Sequence, residues 1–147
     1  MTRRIHIGRL AQLSGRSVHT IRWYEARGLI PNVGRDAGGR RVYVDGHVEH
    51  LAFLEWLRRT GMSVEDMRAF TALGLQGWRT IPQREERLRD HRRKLERDIA
   101  MLQGALQLID AKLDYFAQWR ARKKRPPALL AMPALAEPRE AGPTPGS

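Results

Sequence analysis

The sequence predicts a mainly α-helical protein in which a winged helix-turn-helix is followed by one long coiled-coil helix. Three observations predict this fold: a short capped helix after a Ser-Gly turn, a basic glycine-rich hairpin, and a heptad repeat in the second half. With 147 residues, 41% of them hydrophobic, the chain can bury one main core. We expect a winged helix-turn-helix domain with a helix pair at residues 1–73, a linker at 74–81, a coiled-coil dimerisation helix at 82–125, and a disordered Pro- and Ala-rich tail at 126–147.

The first two helices meet at the turn pair Ser14-Gly15, as in a helix-turn-helix. Ser17 can cap the second helix by accepting a hydrogen bond from a free backbone amide, and Gly28 can end it in a left-handed conformation. At about 100° per residue, the apolar Val18 and Ile21 share one side of this helix. The opposite side suits the major groove of DNA, because it carries hydrogen-bonding and cationic groups. These groups belong to His19, Thr20, Trp23 and Arg27, with Arg22 on the flank. Taken alone, the stretch is equally compatible with an ordinary amphipathic surface helix.

A basic hairpin is predicted after the second helix. Pro31 prevents the helix from continuing, and residues 32–41 are rich in Gly, Asp and Asn with three arginines among them. Gly38-Gly39 favours a tight turn, and residues 40–44 alternate and are β-prone. We therefore predict a two-stranded wing with basic side chains near its tip. The alternative is a surface hairpin that binds nothing.

Two further helices complete the first domain. Asp45 is expected to cap the third helix, which runs to about Thr60 before Gly61 stops it. Ser63, followed by Asp66 three residues later, resembles a capping box and starts the fourth helix. We expect both helices to be mainly structural, with a phosphate contact at the Ser63 helix start as the alternative.

A long helix is predicted to begin near Pro82, because a missing amide costs nothing in a first turn. Apart from Arg92 its heptad repeat is regular, and as far as Arg125 it would measure roughly 60–65 Å at about 1.5 Å per residue. Because that is too long to pack on one small domain, we expect its apolar seam to be buried against a second copy. The seam, taken as the dimerisation residues, consists of Leu88, Leu95, Ile99, Leu102, Leu106, Ile109, Leu113 and Phe116. The basic cluster at residues 120–125 opposes the helix dipole or, alternatively, forms a second nucleic-acid patch.

The formal net charge of +11 is concentrated near the N-terminus. Residues 1–44 contain nine arginines and two acidic residues, whereas residues 45–80 contain four arginines and five acidic residues. A basic segment that coincides with the candidate recognition helix fits an electrostatic footprint on DNA phosphates. The alternative explanation of this charge is codon bias, since the first 80 residues contain no lysine. Codon bias explains the use of arginine instead of lysine better than it explains the concentration of charge in residues 1–44.

Several functional classes are excluded by composition and motifs. The absence of cysteine excludes disulfides, thiolate metal sites, iron–sulfur clusters and cysteine redox sensing. No apolar window resembles a membrane helix or a signal peptide, so we expect a soluble cytoplasmic protein without a membrane partner. No nucleotide-binding loop or nucleophile motif is present, so we expect neither an enzyme nor a cofactor. His47 and His50 could share a metal ion, but exposed helix polarity is the preferred interpretation.

Several segments together match a known sequence pattern. They are Ile7-Gly8-x-Leu10-Ala11, Ser14-Gly15, Ser17-Val18-x-Thr20-Ile21-Arg22-Trp23-Tyr24-Glu25, Gly28-Leu29-Ile30-Pro31, Gly39-x-Arg41-x-Tyr43, Phe53-Leu54 and Gly61-Met62-Ser63-Val64-Glu65-Asp66-Met67. In these segments the chain resembles the MerR family of bacterial transcription regulators over about residues 5–120. Residues 80–84 and 108–116 look most like the subgroup associated with aldehyde and electrophile stress, whose usual sensing thiol is missing here.

The resemblance implies a homodimer whose long helices pair as an antiparallel coiled coil and set the separation of two recognition helices. These helices would dock in successive major grooves of double-stranded DNA, so the site should be a pseudo-palindrome. In this family the regulator commonly distorts an overlong promoter spacer so that RNA polymerase can engage both promoter elements, a deformation of about 1–6 kcal/mol. Tyr24 is assigned to a phosphate, whereas Glu25 is expected to be structural. The implied DNA-binding residues are Arg16, Ser17, His19, Thr20, Arg22, Trp23, Tyr24, Arg40, Arg41 and Tyr43.

Two questions stay open at this point. An aromatic-lined pocket could bind a small-molecule inducer, although core and dimer packing is the preferred use of its rings. The rings concerned are Trp56, Trp78, Tyr115, Phe116 and Trp119. The function could also be that of an architectural or excisionase-type DNA-binding protein without an effector, or of a coiled-coil scaffold with a vestigial basic domain. The long coiled coil favours the regulator.

Overall fold

The computed structural model describes residues 3–127 and confirms the mainly α-helical fold with a small wing. The helices are α1 (Ile7–Ser14), α2 (Val18–Ala26), α3 (Gly46–Arg59), α4 (Val64–Leu75) and α5 (Ile81–Arg122), with a 3-10 turn at Trp78–Thr80. The strands are β1 (Arg4–Ile5), β2 (Gly34–Arg35) and β3 (Arg41–Val44). The chain divides into two compact units, Met1–Asp98 and Ile99–Ser147, which are described separately. The predicted tail at 126–147 lies outside the described residues beyond Pro127.

The wing contains one strand more than the sequence predicted. The sheet order is β1-β3-β2, and both pairings are antiparallel, with Ile5 opposite Tyr43 and Gly34 opposite Val42. β1 has only two residues, which is too short for an alternating pattern to be recognised. Because β1 occupies the other edge of β3, the wing is attached to the start of the chain as well as to its own hairpin partner.

The core of the first unit lies between the helix-turn-helix, β3, α3 and α4. It is built from apolar residues at helical spacing on α1, α2 and α3, together with the ring of Tyr43 from the sheet. Side chains with no exposed area include Leu10, Ile21, Tyr24, Leu29, Tyr43, Leu51, Leu54 and Met67. This common core fixes the recognition helix α2 and the wing in one body.

The predicted caps of α2 and α4 are present. Ser17 accepts a hydrogen bond from the Thr20 amide at 3.0 Å, and Ser63 accepts one from the Asp66 amide at the same distance. Gly28 has a φ of +70°, and the amide of Leu29 then bonds back to the carbonyl of Tyr24. The cap expected at Asp45 is wrong: its backbone is already helical, and its side chain makes no capping hydrogen bond. A side-chain cap requires an extended backbone at that position.

The histidine pair of α3 is structural and not exposed polarity, so that interpretation was wrong. His47 is buried; its Nδ1 accepts from the Val44 amide at 2.8 Å, and its Nε2 donates to the Pro31 carbonyl at 2.7 Å. His50 Nε2 lies 2.7 Å from the Leu29 carbonyl, and burial lowers the pKa of this imidazole. The two rings thus satisfy the carbonyls of the turn that leads from α2 into the wing.

The first turns of α5 belong to the first unit. Leu88 packs against the core, and His91 Nε2 lies 2.8 Å from Thr60 Oγ1 at the end of α3. The heptad repeat assigned Leu88 to the dimer seam, which stays a prediction; its packing here contributes to the core of the first unit. Among residues 3–127, no helix is long and apolar enough to cross a membrane.

Candidate nucleic-acid interface

The recognition helix exposes the polar side predicted from its sequence. His19 and Arg22 are exposed, and Thr20 is half-buried with its hydroxyl 2.8 Å from that of Ser17. Trp23 is half-buried beneath Arg27, whose guanidinium carbon lies 3.8 Å from the ring centroid. This stacking covers the indole with a cation, so the C-terminal half of α2 also presents positive charge.

Glu25 joins the recognition helix to the wing. Its Oε1 accepts a hydrogen bond from Arg41 Nε, and its Oε2 accepts one from the Tyr43 hydroxyl at 3.0 Å. Tyr43 is completely buried, and burial, followed by the Glu25 hydrogen bond, raises its pKa to about 12. The expectation that Glu25 is structural therefore agrees with its contacts. The Tyr43 hydroxyl already has a partner, whereas Arg41 remains exposed.

The wing tip is ordered by Asp36. Its Oδ1 accepts from the amides of Gly38 and Arg40, both at 2.9 Å, and its Oδ2 accepts from Arg40 Nε at 3.0 Å. The backbone hydrogen bond from Arg40 is the largest effect that lowers the pKa of this carboxyl. Gly39 has a φ of +76°, which suits glycine at the turn. The exposed arginines of the wing are thus carried on a hydrogen-bonded loop.

Helix and wing share one basic surface. Arg22 of α2, Arg40 and Arg41 of the wing and His6 line a shallow depression of about 420 Å³, together with Ile7. Arg22 and Arg41 also border a second depression of about 300 Å³ with Glu25. Cationic side chains far apart in sequence therefore border common depressions, from which they can meet phosphates along a DNA backbone.

Tyr24 faces away from that surface. It is completely buried, and its hydroxyl donates to Glu55 Oε2 at 2.7 Å. Burial, followed by the hydrogen bond to Glu55, raises its pKa, so this group is a neutral donor. The direct phosphate contact expected for Tyr24 does not agree with this position. The cause is helical geometry: Tyr24 follows Ile21 by three residues and shares its inward side.

Sequence reasoning missed the charged cluster around Glu55. This buried carboxylate also contacts Arg58 and Arg59 on its own helix, and Arg16, which was expected to bind DNA, lies 3.4 Å away. The hydrogen bond from Arg58 is the main effect that lowers the pKa of Glu55 to about 2. The spacing of Glu55 to the two arginines, i+3 and i+4, was a readable signal. Among the described residues, no three metal-ligating side chains lie close enough together to hold a metal ion.

Comparisons with known proteins identify the chain's relatives. The sequence profile of the family described as "MerR family regulatory protein" matches residues 6–43, from the start of the helix-turn-helix to Tyr43. An uncharacterized HTH-type transcriptional regulator of Haemophilus influenzae is 34% identical over 111 residues, which span 76% of this chain and 82% of the relative. The uncharacterized HTH-type regulator YyaN of Bacillus subtilis is 31% identical over 122 residues, spanning 75% of this chain and 88% of the relative.

A solved structure has the same architecture. It is the crystal structure of HiNmlR, described as a MerR family regulator lacking the sensor domain, bound to promoter DNA. It is 33% identical to the chain, with a TM-score of 0.68, and the match covers 82% of this chain and 94% of that one. The chain belongs to the MerR family. As a MerR protein it is a DNA-binding transcription regulator, and the matched relatives are regulators, not enzymes.

The second unit carries the rest of the predicted MerR dimer seam. Six apolar side chains on α5 are each 50–61% exposed in the single chain. They are Ile99, Leu102, Leu106, Ile109, Leu113 and Phe116. Leu95, in the first unit, is half-buried.

The aromatic residues proposed for an inducer pocket have different surroundings. In the first unit, Trp56 and Trp78 are about two thirds and three quarters exposed. In the second unit, Tyr115 is buried beside Trp119, with ring centroids 6.1 Å apart, and its hydroxyl lies 3.2 Å from Arg125 Nε. The exposure of Trp56 and Trp78 is that of surface side chains. The inducer site stays a prediction from the sequence.

Proposed function

We propose that the protein acts as a homodimer that binds a pseudo-palindromic promoter site and distorts the promoter spacer for RNA polymerase. The observation that carries this function is that Arg22 of the recognition helix borders the same depression as Arg40 and Arg41 of the wing. Two elements on one rigid body can contact the major groove and the neighbouring backbone at once.

The dimer is supported by the apolar stripe of α5. The six apolar residues of this stripe, from Ile99 to Phe116, recur at spacings of three and four residues. Each exposes half or more of its surface in the single chain. Burying such a stripe against a second copy contributes about 25 cal/mol for each Å² of apolar surface removed from water. An antiparallel pair of identical helices is two-fold symmetric, so it would present two identical basic faces to the DNA.

The promoter role is supported by the HiNmlR structure, which is described as bound to promoter DNA. Its match covers 82% of this chain. Deforming a promoter spacer requires about 1–6 kcal/mol, which phosphate contacts from two basic faces would offset. RNA polymerase is the partner that would read the altered spacing.

The test is selection of binding sequences from a randomised DNA pool with the full-length protein, followed by footprinting of the selected site. We expect a two-fold symmetric sequence and an affinity that falls steeply as salt rises from about 50 to 200 mM. Arg22→Ala should weaken binding by about 1–3 kcal/mol if Arg22 contacts a base edge. Weak protection without sequence preference would refute the proposed function, and binding at recombination sites without a promoter would favour the architectural alternative.

A further inference from the structure

The carboxylate of Glu55 gathers more positive charge than its burial requires. This side chain of α3 is 4% exposed. Its Oε2 accepts from the Tyr24 hydroxyl at 2.7 Å and from Arg58 Nε at 3.1 Å. Its Oε1 accepts from Arg58 Nη2 at 2.8 Å and Arg59 Nε at 2.9 Å, and Arg16 Nη1 lies 3.4 Å away. One cation would suffice to pair a buried carboxylate, so three arginines leave an excess of positive charge.

The excess charge is accessible. The side chains of Arg58 and Arg59 are 49% and 61% exposed, so donors not bonded to Glu55 remain available to solvent. Arg16 Nε is buried and finds no hydrogen-bond partner among the described residues. Three guanidinium groups held this close repel one another, and the negative charge of Glu55 offsets that repulsion.

The cluster borders the face of α2 that the proposed function assigns to DNA. Arg58 lines a depression of about 230 Å³ together with His19, Thr20, Trp23 and Tyr24. His19 is exposed on the recognition helix, and Arg58 borders the same depression from α3, which belongs neither to that helix nor to the wing. The cluster therefore adds a third positive element, supplied by α3, beside the helix and the wing.

We propose that Glu55 is a positioning residue that holds Arg16, Arg58 and Arg59 as one binding cluster for a DNA backbone phosphate. This inference rests on the proposed function and deepens it. Guanidinium groups present fixed pairs of donors that match phosphate oxygens, and holding them in place beforehand reduces the ordering required on binding. A phosphate met in one fixed position sets the register of α2 on the duplex, so Glu55 contributes to sequence discrimination.

Glu55→Gln tests the positioning role, because the amide still offers Tyr24 an acceptor but no longer holds the arginines by charge. The matched control is Glu49→Gln, which removes a carboxylate from the first turn of the same helix and changes the net charge equally. Both full-length variants are titrated with a duplex selected by the wild-type protein and with a scrambled duplex of equal length. Thermal unfolding gives the folded fraction of each protein.

We expect Glu55→Gln to bind the selected duplex about tenfold more weakly than Glu49→Gln, and to bind the scrambled duplex at least as well. Equal ratios of selected to scrambled affinity in the two variants would overturn the positioning role. A wild-type protein that selects no preferred sequence would instead refute the proposed function, so the two failures are distinguishable.

A second comparison decides the matter if Glu55→Gln does not fold. Arg59→Gln removes a cluster arginine that is mostly exposed, and Arg79→Gln removes an exposed arginine next to the Trp78 ring. For Arg59→Gln the slope of log affinity against log salt should become shallower by about 0.9 for each phosphate that the protein no longer neutralises. Arg79→Gln should keep the wild-type slope. Identical slopes in the two variants would overturn the phosphate site.

Discussion

The hydroxyl of Tyr43 donates a 3.0 Å hydrogen bond to Oε2 of Glu25, and this bond joins the wing strand to the recognition helix. Arg41 occupies the other carboxylate oxygen. Glu25 thus uses one oxygen for a buried tyrosine and the other for an exposed arginine. These two hydrogen bonds hold the wing and α2 together as one rigid unit. Removing the hydroxyl of Tyr43 tests this coupling.

Tyr43→Phe should lower the free energy of unfolding by about 1.5–3 kcal/mol, because the hydrogen bond that it removes has a charged acceptor. Affinity for the selected duplex should fall as the wing loses its fixed position. Urea unfolding and DNA titration measure the two effects. Tyr115→Phe is the control, since that hydroxyl lies in the second unit, where it donates to the Pro126 carbonyl at 3.3 Å and accepts from Arg125 Nε at 3.2 Å. DNA affinity reduced equally in both variants would contradict the assignment.

Acid should destabilise the protein through Glu55. Its pKa is about 2 when folded and 4.5 ordinarily, so its stabilisation is complete above about pH 4.5 and is lost as pH falls towards about 2. The groups that face this carboxylate are Tyr24, Arg16, Arg58 and Arg59. Urea unfolding at several pH values should therefore show a shallower acid decline for Glu55→Gln than for Glu49→Gln. Parallel curves would show that another carboxylate is responsible.

Ser17→Ala should lower the free energy of unfolding by about 0.5–2 kcal/mol through loss of the α2 cap. Ser63→Ala removes an equivalent cap, with the same 3.0 Å distance, from α4. We expect similar stability losses from the two variants, but a larger loss of DNA affinity for Ser17→Ala. Thermal unfolding and DNA titration make the comparison, and a greater loss of DNA affinity for Ser63→Ala would favour a phosphate contact at that helix start.

Leu106→Asp should separate the dimer, because it places a charge in the middle of the apolar stripe of α5. Met101→Asp is the control: Met101 is also an exposed apolar residue of α5, but it lies outside the three- and four-residue spacing of the stripe. Sedimentation equilibrium should show at least about a 100-fold weaker dimer for Leu106→Asp, equivalent to about 2.7 kcal/mol. Equal dimer constants for both variants would place the interface elsewhere.

The predictable parts of the fold are those determined by nearby residues. Ser17 and Gly28 lie at the ends of the helix they delimit, so its bounds could be read from sequence. Tyr24 and Glu55 are 31 residues apart in sequence, so no local pattern predicts their contact. Likewise, His47 bonds the carbonyl of Pro31, 16 residues earlier in the chain, and a helical-wheel plot of α3 alone cannot predict that partner.

The candidate site was predicted in composition but not in arrangement. Arg22 and Arg41 were expected on the DNA-binding surface, and both border the same depressions. The family pattern assigns Tyr24 to a phosphate, whereas its three-residue spacing from Ile21 places it on the inward side of α2, where it is buried. Glu55 was missed because a carboxylate does not itself bind phosphate. It can nevertheless hold in place the arginines that do.

Two consecutive residues of the recognition helix are bound on different sides. Tyr24 is held by a glutamate of α3, and Glu25 is held by a tyrosine of β3. Neighbouring positions on a helix point about 100° apart, so these two bonds act in different directions around the helix axis. With both hydrogen bonds in place, α2 cannot rotate about its own axis. The directions in which His19 and Arg22 project from α2 are therefore fixed by two tyrosine–glutamate pairs. Neither pair has to contact a base.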